Sequence, residues 1–597
     1  MHKIKLSLVL LIVVALLIPT MALAQQGPPI VPPNENAKYA DQVFYNAVIH
    51  TVDESNPQAT AIAIKDDEIM AVGDMKDVNS FIRPWTEMVD MNGATIIPGL
   101  IDAHLHFNSG GLSLVRLDMV GKSKQECLDM VAERADELEP GVWIEGRGWR
   151  HAEWDPPDWP TRWSLDEVAP DNPCYFSRID GHSAWVNSLA LEIAGIDTAE
   201  GVIEAGLTGD DLRLDDDGKP TGILYRGGQN YLTPFIPAPP KEVLEEAYLA
   251  ANDYALSVGL TGAHCASRNN IESVELYKEL YEEEKLQVRL NIMLGDGTFM
   301  EHYYEKGRGP EIGLYGDRLD INTIKMQIDG SLGSRTARFF EDYSDEPGTR
   351  GVFYISPDDI EEVTTKALPE GFAVRVHAIG DEGNHETINA FEKSLEATGV
   401  TDHRLGIEHV SLLDTEDMER MKDLGIYSNI QPGFANFGWT WLDSRVGDRA
   451  YKLYRFGDME ELGLKMSGST DWPVQRIYPL HQLHMGITRW TPDGQPPERY
   501  YPEQRLSREH TLYMYTLGAA KAGGNDHLVG SLTSGKYADL VVLEEDIITC
   551  PDENIAHIEI LGTMVGGNFE YLSEKAESYM DYHDFFQWKG FSGRPGR

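Results

Sequence analysis

The sequence predicts an α/β protein: a (β/α)8 TIM-type barrel, a small β-sandwich domain formed from both termini, and a long insertion after the first barrel strand. Three observations predict it. Eight strand-like runs lie between Thr95 and Ser469, with helical text between most of them, the rhythm of a closed parallel barrel. Short β-like runs near the two ends are too short to bury much alone and need each other to complete a sheet. A tryptophan-rich stretch separates the first barrel run from the second.

Taken in order, residues 1–24 read as a signal peptide. Lys3 and Lys5 precede an apolar run from Leu6 to Ile18 and then Ala22-Leu23-Ala24, the charged, apolar and small-residue order of a cleavable export signal. Cleavage after Ala24 and a secreted or periplasmic location are expected. The run is shorter than the roughly 20 residues that span a bilayer, and nothing later is long and apolar enough, so no stable membrane span is expected after cleavage. Residues 25–39, with Pro28, Pro29, Pro32 and Pro33, read as a flexible linker.

The first part of the sandwich, 40–94, holds the runs VFYNAVIHTV and ATAIAIKDDEIMAVGD and the start of EMVDMNGATIIPGL. Its second part, 528–572, holds GSLTSGKYADLVVLEEDI and IEILGTMVGGNFEY, and 573–597 is a tail. The barrel occupies 95–527. Its strand candidates are 95–106, 260–265, 288–294, 321–328, 373–378, 405–410, 426–430 and 464–469. The insertion, about 107–240, carries Trp143, Trp149, Trp154, Trp159, Trp163 and Trp185; these read first as its own core, with an apolar, substrate-facing pocket as the alternative.

Composition narrows the partners. Against 51 basic side chains stand 97 acidic ones, a formal net charge of −46, which repels phosphate backbones and argues against nucleic acid as a partner. Cys127, Cys174, Cys265 and Cys550 show no C-x-x-C spacing, so no zinc knuckle or dense disulfide framework is indicated, and one or two disulfides stay open. Cys265 beside His264 also invites reading as a nucleophile, a role made redundant if a metal site supplies one.

The chemistry starts from TIIPGLIDAHLHF. His104 and His106 are spaced i, i+2 at a strand end, which points both imidazoles to one side; neutral imidazole is a common ligand for zinc and similar ions. An isolated His-x-His can equally be two polar positions on a half-exposed face, so partners are required. Reading only the C-terminal ends of the barrel runs supplies them: Lys325 in IKMQIDG, His377 in VRVHAIGD, His409 in GIEHV and Asp471 in SGSTDWP. Active sites of this barrel lie at those strand ends.

At this point the chain resembles the amidohydrolase superfamily, and within it the family-three branch that includes N-substituted formamide deformylase. The matching text spans roughly Ala40 to Leu572 and includes PGLIDAHLHF, DGHSAWVNSLALEIAGI, KMQIDGSLGSRTA, VHAIGD, IEHV, SGSTDWPV and GSLTSGKYADLVVLEED. The resemblance implies a distorted barrel and one or two divalent metal ions, zinc first, that hydrolyse the C–N bond of a small amide-like substrate. On that reading His104, His106 and Asp471 hold the more buried ion and His377 and His409 the second, with Asp471 also the general base. Lys325 would bridge two ions if carboxylated to a carbamate; unmodified, it would pair with Asp329 or another carboxylate beside a single ion. His182 and Arg335 are candidate substrate-binding residues. A hydrolytic deaminase on the same barrel, or a catalytically silent barrel used for binding, are the alternatives, and pairing into a homodimer stays open.

Overall fold

The apolar run expected as one strand over 95–106 divides at Gly99. In the computed structural model, which describes residues 38–151, 154–178 and 183–583, Thr95–Pro98 pairs antiparallel with Leu540–Leu543 in a sheet made from both chain ends. Leu100–Leu105 then opens the barrel as β1. The break is steric: a Cβ at Gly99 would lie 2.1 Å from Thr261 Oγ1, so only glycine lets the backbone pass there. The segment expected as a signal peptide and most of the expected linker, up to residue 37, fall outside the described residues.

The remaining barrel strands are β2 (Leu260–Asn269), β3 (Arg289–Gly295), β4 (Leu319–Gln327), β5 (Ala373–Ala378), β6 (Gly406–His409), β7 (Tyr427–Ile430) and β8 (Lys465–Gly468). Each pairs in parallel with the next, in sequence order from β1 to β8. All eight expected strands are present. Helices intervene where the text was helical, as with Lys241–Ser257 before Gly259 (φ +84°) and Asp381–Thr398 before Gly399 (φ +67°), glycines whose left-handed backbone stops a helix at no steric cost.

The barrel is nearly closed, and its seam joins at the top. Asp471 N donates to His104 O at 2.9 Å and His106 N to Trp472 O at 2.7 Å. The buried Asp102 side chain bridges the same seam, accepting from His104 N at 3.0 Å, Thr470 N at 3.0 Å and Thr470 Oγ1 at 2.6 Å. At the bottom, the helix Leu517–Gly523 acts as a plug: its terminal carbonyls accept Arg375 Nη2 (Ala522 O, 2.7 Å) and the Asn291 and Asn322 amides (Gly523 O, 3.3 and 3.2 Å). Donors there meet the negative end of the helix dipole.

The end sheet runs Asn568–Leu572, Ile560–Val565, Leu540–Leu543, Thr95–Pro98, Gln42–His50, Gln58–Lys65, Glu68–Gly73, with Glu87–Asp90 and Asp581–His583 branching from Gln42–His50. Both faces of Gln42–His50 are covered, Phe44 in one cluster with Val542 and Leu561, Val43 in another with Val78 and Met88, as period-two alternation requires. The tail expected after 572 thus contributes one more strand.

The insertion forms its own six-stranded sheet. Trp149 and Trp185 are fully buried in its core with Trp154, Phe176 and Leu165. Their indole N–H groups donate to Phe176 O (2.8 Å) and Thr161 O (3.0 Å), the partners a buried Trp needs. All four cysteines are free thiols, three of them buried, so neither disulfide left open by the sequence forms. Among the described residues no helix is long and apolar enough to cross a membrane.

The helix that follows His106, Phe107–Val115, lies very close to its neighbours. A Cβ at Gly110 would sit 2.2 Å from the Trp472 ring, and one at Gly111 2.2 Å from the backbone oxygen of Ala247. Gly→Ala inside an unobstructed helix stabilises by about 0.5–1 kcal/mol, so the sign is a test. Gly111→Ala is expected to destabilise by roughly 2–3 kcal/mol, because a backbone carbonyl cannot move aside as a side chain can. The midpoint of equilibrium urea unfolding reads it; an upward shift would contradict the packing.

Candidate metal centre

The strand ends β1, β4, β5 and β6 and the turn after β8 bring His104, His106, Lys325, His377, His409 and Asp471 around the floor of one cavity of about 490 Å³. Its centre is Asp471, whose Oδ1 lies 3.4 Å from His104 Nε2 and 3.2 Å from His106 Nε2. His409 closes the group, its ring centroid 5.0 Å from that of His104 and 4.4 Å from that of His377. The tightest donor set is His104, His409 and Asp471, one ligand atom from each lying within 4.8 Å of the others. His106 and His377 flank it. The grouping expected from resemblance put His104 with His106 and His409 with His377; in the fold His409 stands between His104 and His377.

Strain marks the place. His409 has φ +81°, Val410 φ +45° and Asp471 φ +58°, conformations that non-glycine residues, β-branched Val above all, adopt only where the surroundings enforce them. The turn at His409 lets neighbouring residues both face inward. Glu408, fully buried, takes His104 Nδ1–H at 2.5 Å, while His409 Nδ1 bonds Gln431 Oε1 at 2.8 Å. Gln431 is itself held by Ser469 Oγ at 2.8 Å. His377 Nε2 donates to Gly330 O at 3.1 Å. With one ring nitrogen of His377 and of His409 committed as a donor, the other keeps its lone pair, which is how histidine ligands are oriented.

Electrostatics agree with cation binding. Burial holds His106 below the ordinary imidazole value, His377 down at about 3 and His409 well below it, so these rings are neutral. Burial opposes charge on Asp471, yet His104 and His106 keep its carboxyl well below the usual range. Its Oδ1 is buried and makes no aligned hydrogen bond. For His104, burial pushes down but the Glu408 carboxylate raises it to about 9. A buried carboxylate oxygen among imidazoles is a donor set for a divalent ion, which would displace the second proton that His104 holds without one, and the residues present fit one.

Lys325, buried on β4, makes no hydrogen bond or ion pair among the described residues; burial brings its amine down to about 8. Pairing with Asp329 is not seen. Asp329 instead accepts the backbone N–H groups of Arg338, Ile379 and Gly380 at 2.8, 3.0 and 2.8 Å, bracing the loop after β4. Arg335 does not line the cavity: its Nη2 pairs with Asp345 at 3.0 Å, a carboxylate shared with Arg445, which ties the loops after β4 and β7 together. His182 lies outside the described residues.

The aromatic wall of the cavity comes from Phe434, Trp441 and Tyr454, with Leu332, Ile379 and Val474. These belong to barrel loops, whereas the insertion's largest tryptophans are committed to their own core. Glu408, Gln431, Asp102 and this wall are what sequence reasoning missed. An acid in the apolar run GIEHV was the one visible signal for Glu408.

The sequence profile of the amidohydrolase family matches residues 87–571. The chain is 31% identical over 547 residues to the protein LONG AFTER FAR-RED 3 of Arabidopsis thaliana, covering 89% of this chain and 92% of that one. It is 27% identical over 549 residues to the N-substituted formamide deformylase of Arthrobacter pascens, covering 89% and 98%. A crystal structure of a metal-dependent hydrolase from Pyrococcus furiosus superposes with a TM-score of 0.70 at 27% identity, covering 85% of this chain and all of that one.

Proposed function

Because the chain belongs to the amidohydrolase family, we propose that it is an exported, metal-dependent hydrolase that cleaves the C–N bond of a small amide or N-substituted formamide. The observation that carries the reading is the buried Asp471 Oδ1 with two imidazole Nε2 atoms within 3.4 Å and no aligned hydrogen bond. His104, His409 and Asp471, with His106, Lys325 and His377 beside them, would hold one or two divalent ions, zinc first. Such an ion would supply Lewis acidity for an amide carbonyl and a lowered pKa for a nearby water. Asp471 takes the proton of the attacking water and returns it to the leaving amine. Glu408 and Gln431 hold His104 and His409 in the tautomers their roles require. The amide type is supported by the likeness to the formamide deformylase, and export by the charged, apolar and small-residue order of residues 1–24.

Metal analysis is the direct test. Purified protein is expected to carry at least one equivalent of tightly bound transition metal per chain and to lose activity on chelation, with zinc, manganese or cobalt restoring it. Less than about half an equivalent, together with no hydrolysis of amides, formamides, carbamates or esters after metal is supplied, would sink the proposal. Release of ammonia instead of a carboxylate plus an organic amine would favour the deaminase reading.

A further inference from the structure

Apart from Lys325, the cavity lining carries one cationic side chain, Arg268. It lies on β2 beyond Cys265, which pairs with Leu105 of β1, so it stands past the level of His104, toward the mouth. There β2 breaks register between Cys265 and Asn269, and Arg268 takes a left-handed φ of +50°. A non-glycine residue held in that conformation needs a reason. Its Nη2 pairs with Asp296 Oδ1 at 2.6 Å, while Nε and Nη1 have no partner among the described residues. Ser267 and Gln327 line the cavity with it, and Phe434, Trp441 and Tyr454 supply its aromatic surface. Arg445 lies over the Trp441 ring at 5.4 Å, which steadies that surface.

We propose that Arg268 is a specificity-determining residue that binds an anionic group, a carboxylate in the simplest case, on an amide substrate whose other arm is apolar or aromatic. This rests on the C–N hydrolase reading above. A guanidinium offers a planar fork that a carboxylate can engage with two hydrogen bonds, and Asp296 occupies one nitrogen of the fork without closing it. On a chain of net charge −46 an anion gains little from the general field, so a local cation beside the reacting centre decides whether such substrates are held. The step itself is simple hydrolysis: for N-formylphenylalanine, water adds to the formyl carbon, the C–N bond breaks, and formate and phenylalanine leave.

Two substrates that differ only in the carboxylate test it: N-formylphenylalanine and N-formyl-2-phenylethylamine, with the zinc-loaded enzyme. Wild type is expected to favour the acid by about tenfold or more in kcat/KM. In Arg268→Met the ratio should fall to about one, and Arg268→Lys should keep part of it, having the charge without the fork. Thermal melting checks that the variants fold. The proposal is overturned if wild type shows no preference, if Arg268→Met keeps it, or if both rates drop by the same factor, as a mere brace between β2 and Asp296 would give. Should neither compound be hydrolysed, the wider amide panel decides on the C–N reading separately, and calorimetric binding of 3-phenylpropanoate against 3-phenylpropanol decides on Arg268. Preference for the acid that is lost in Arg268→Met supports the assignment; preference that persists places the acid on the metal and overturns it.

Discussion

Replacing Lys325 by alanine is expected to cost roughly a hundredfold or more in activity and to remove one of two metal ions, with short carboxylic acids in the buffer restoring part of both. Lys325 is buried, without a hydrogen-bonding or ionic partner among the described residues, and burial lowers its amine to about 8. A buried ammonium left unpaired is costly. A neutral amine can instead add to carbon dioxide, losing a proton to give a carbamate that would offer two oxygens to bound cations. Added carboxylates would stand in for those oxygens. Lys325→Arg should not be rescued, because the guanidinium keeps its charge beside the cations. A wild-type native mass without the extra carboxyl group, together with a single bound ion, would defeat the two-metal proposal; the hydrolase reading would survive with His104, His409 and Asp471 holding that ion.

Asp471→Asn is expected to lower kcat by about 10²–10⁴ while the chain still folds, since the seam bond runs from the backbone N–H of Asp471 to His104 O and is kept by asparagine. The change removes the charge on which His104 and His106 converge and the acceptor for the water's proton. Measuring metal content beside kcat separates the two losses: a variant that keeps its metal but not its turnover isolates the proton-transfer role. Near-normal kcat would rule Asp471 out as the base.

The barrel was legible because most of its strands are apolar runs rich in β-branched residues and alternate with helical text, and because the candidate site sits at strand ends where position alone singles it out. His104, Lys325, His377, His409 and Asp471 could be read that way. Glu408 could not: neighbours in a regular strand face opposite sides, and only the positive φ values at His409 and Val410 turn both residues inward. The division of the first run at Gly99 was hidden because its cause, Thr261, lies far along the chain. The cavity wall was hidden for a similar reason. Tryptophan count pointed to the insertion, but a Trp ring satisfied by Phe176 O or Thr161 O is already spoken for. Arg335 in DGSLGSRTA carried no sign that Asp345 would claim it.

The sheet shared by the two chain ends has a consequence for how the protein is made. Thr95–Pro98 emerges early in synthesis, yet its antiparallel partner Leu540–Leu543 follows after ~440 further residues, which at 5–20 residues per second takes roughly 20–90 s. For that interval the strand presents an unpaired edge, the kind of surface that recruits other chains. β1 waits as well, because its seam partner Asp471 arrives nearly as late. The nascent chain therefore passes through a long interval with these edges unpaired, and a ribosome-bound chain arrested before residue 540 should be far more sensitive to protease within 40–98 than the released protein.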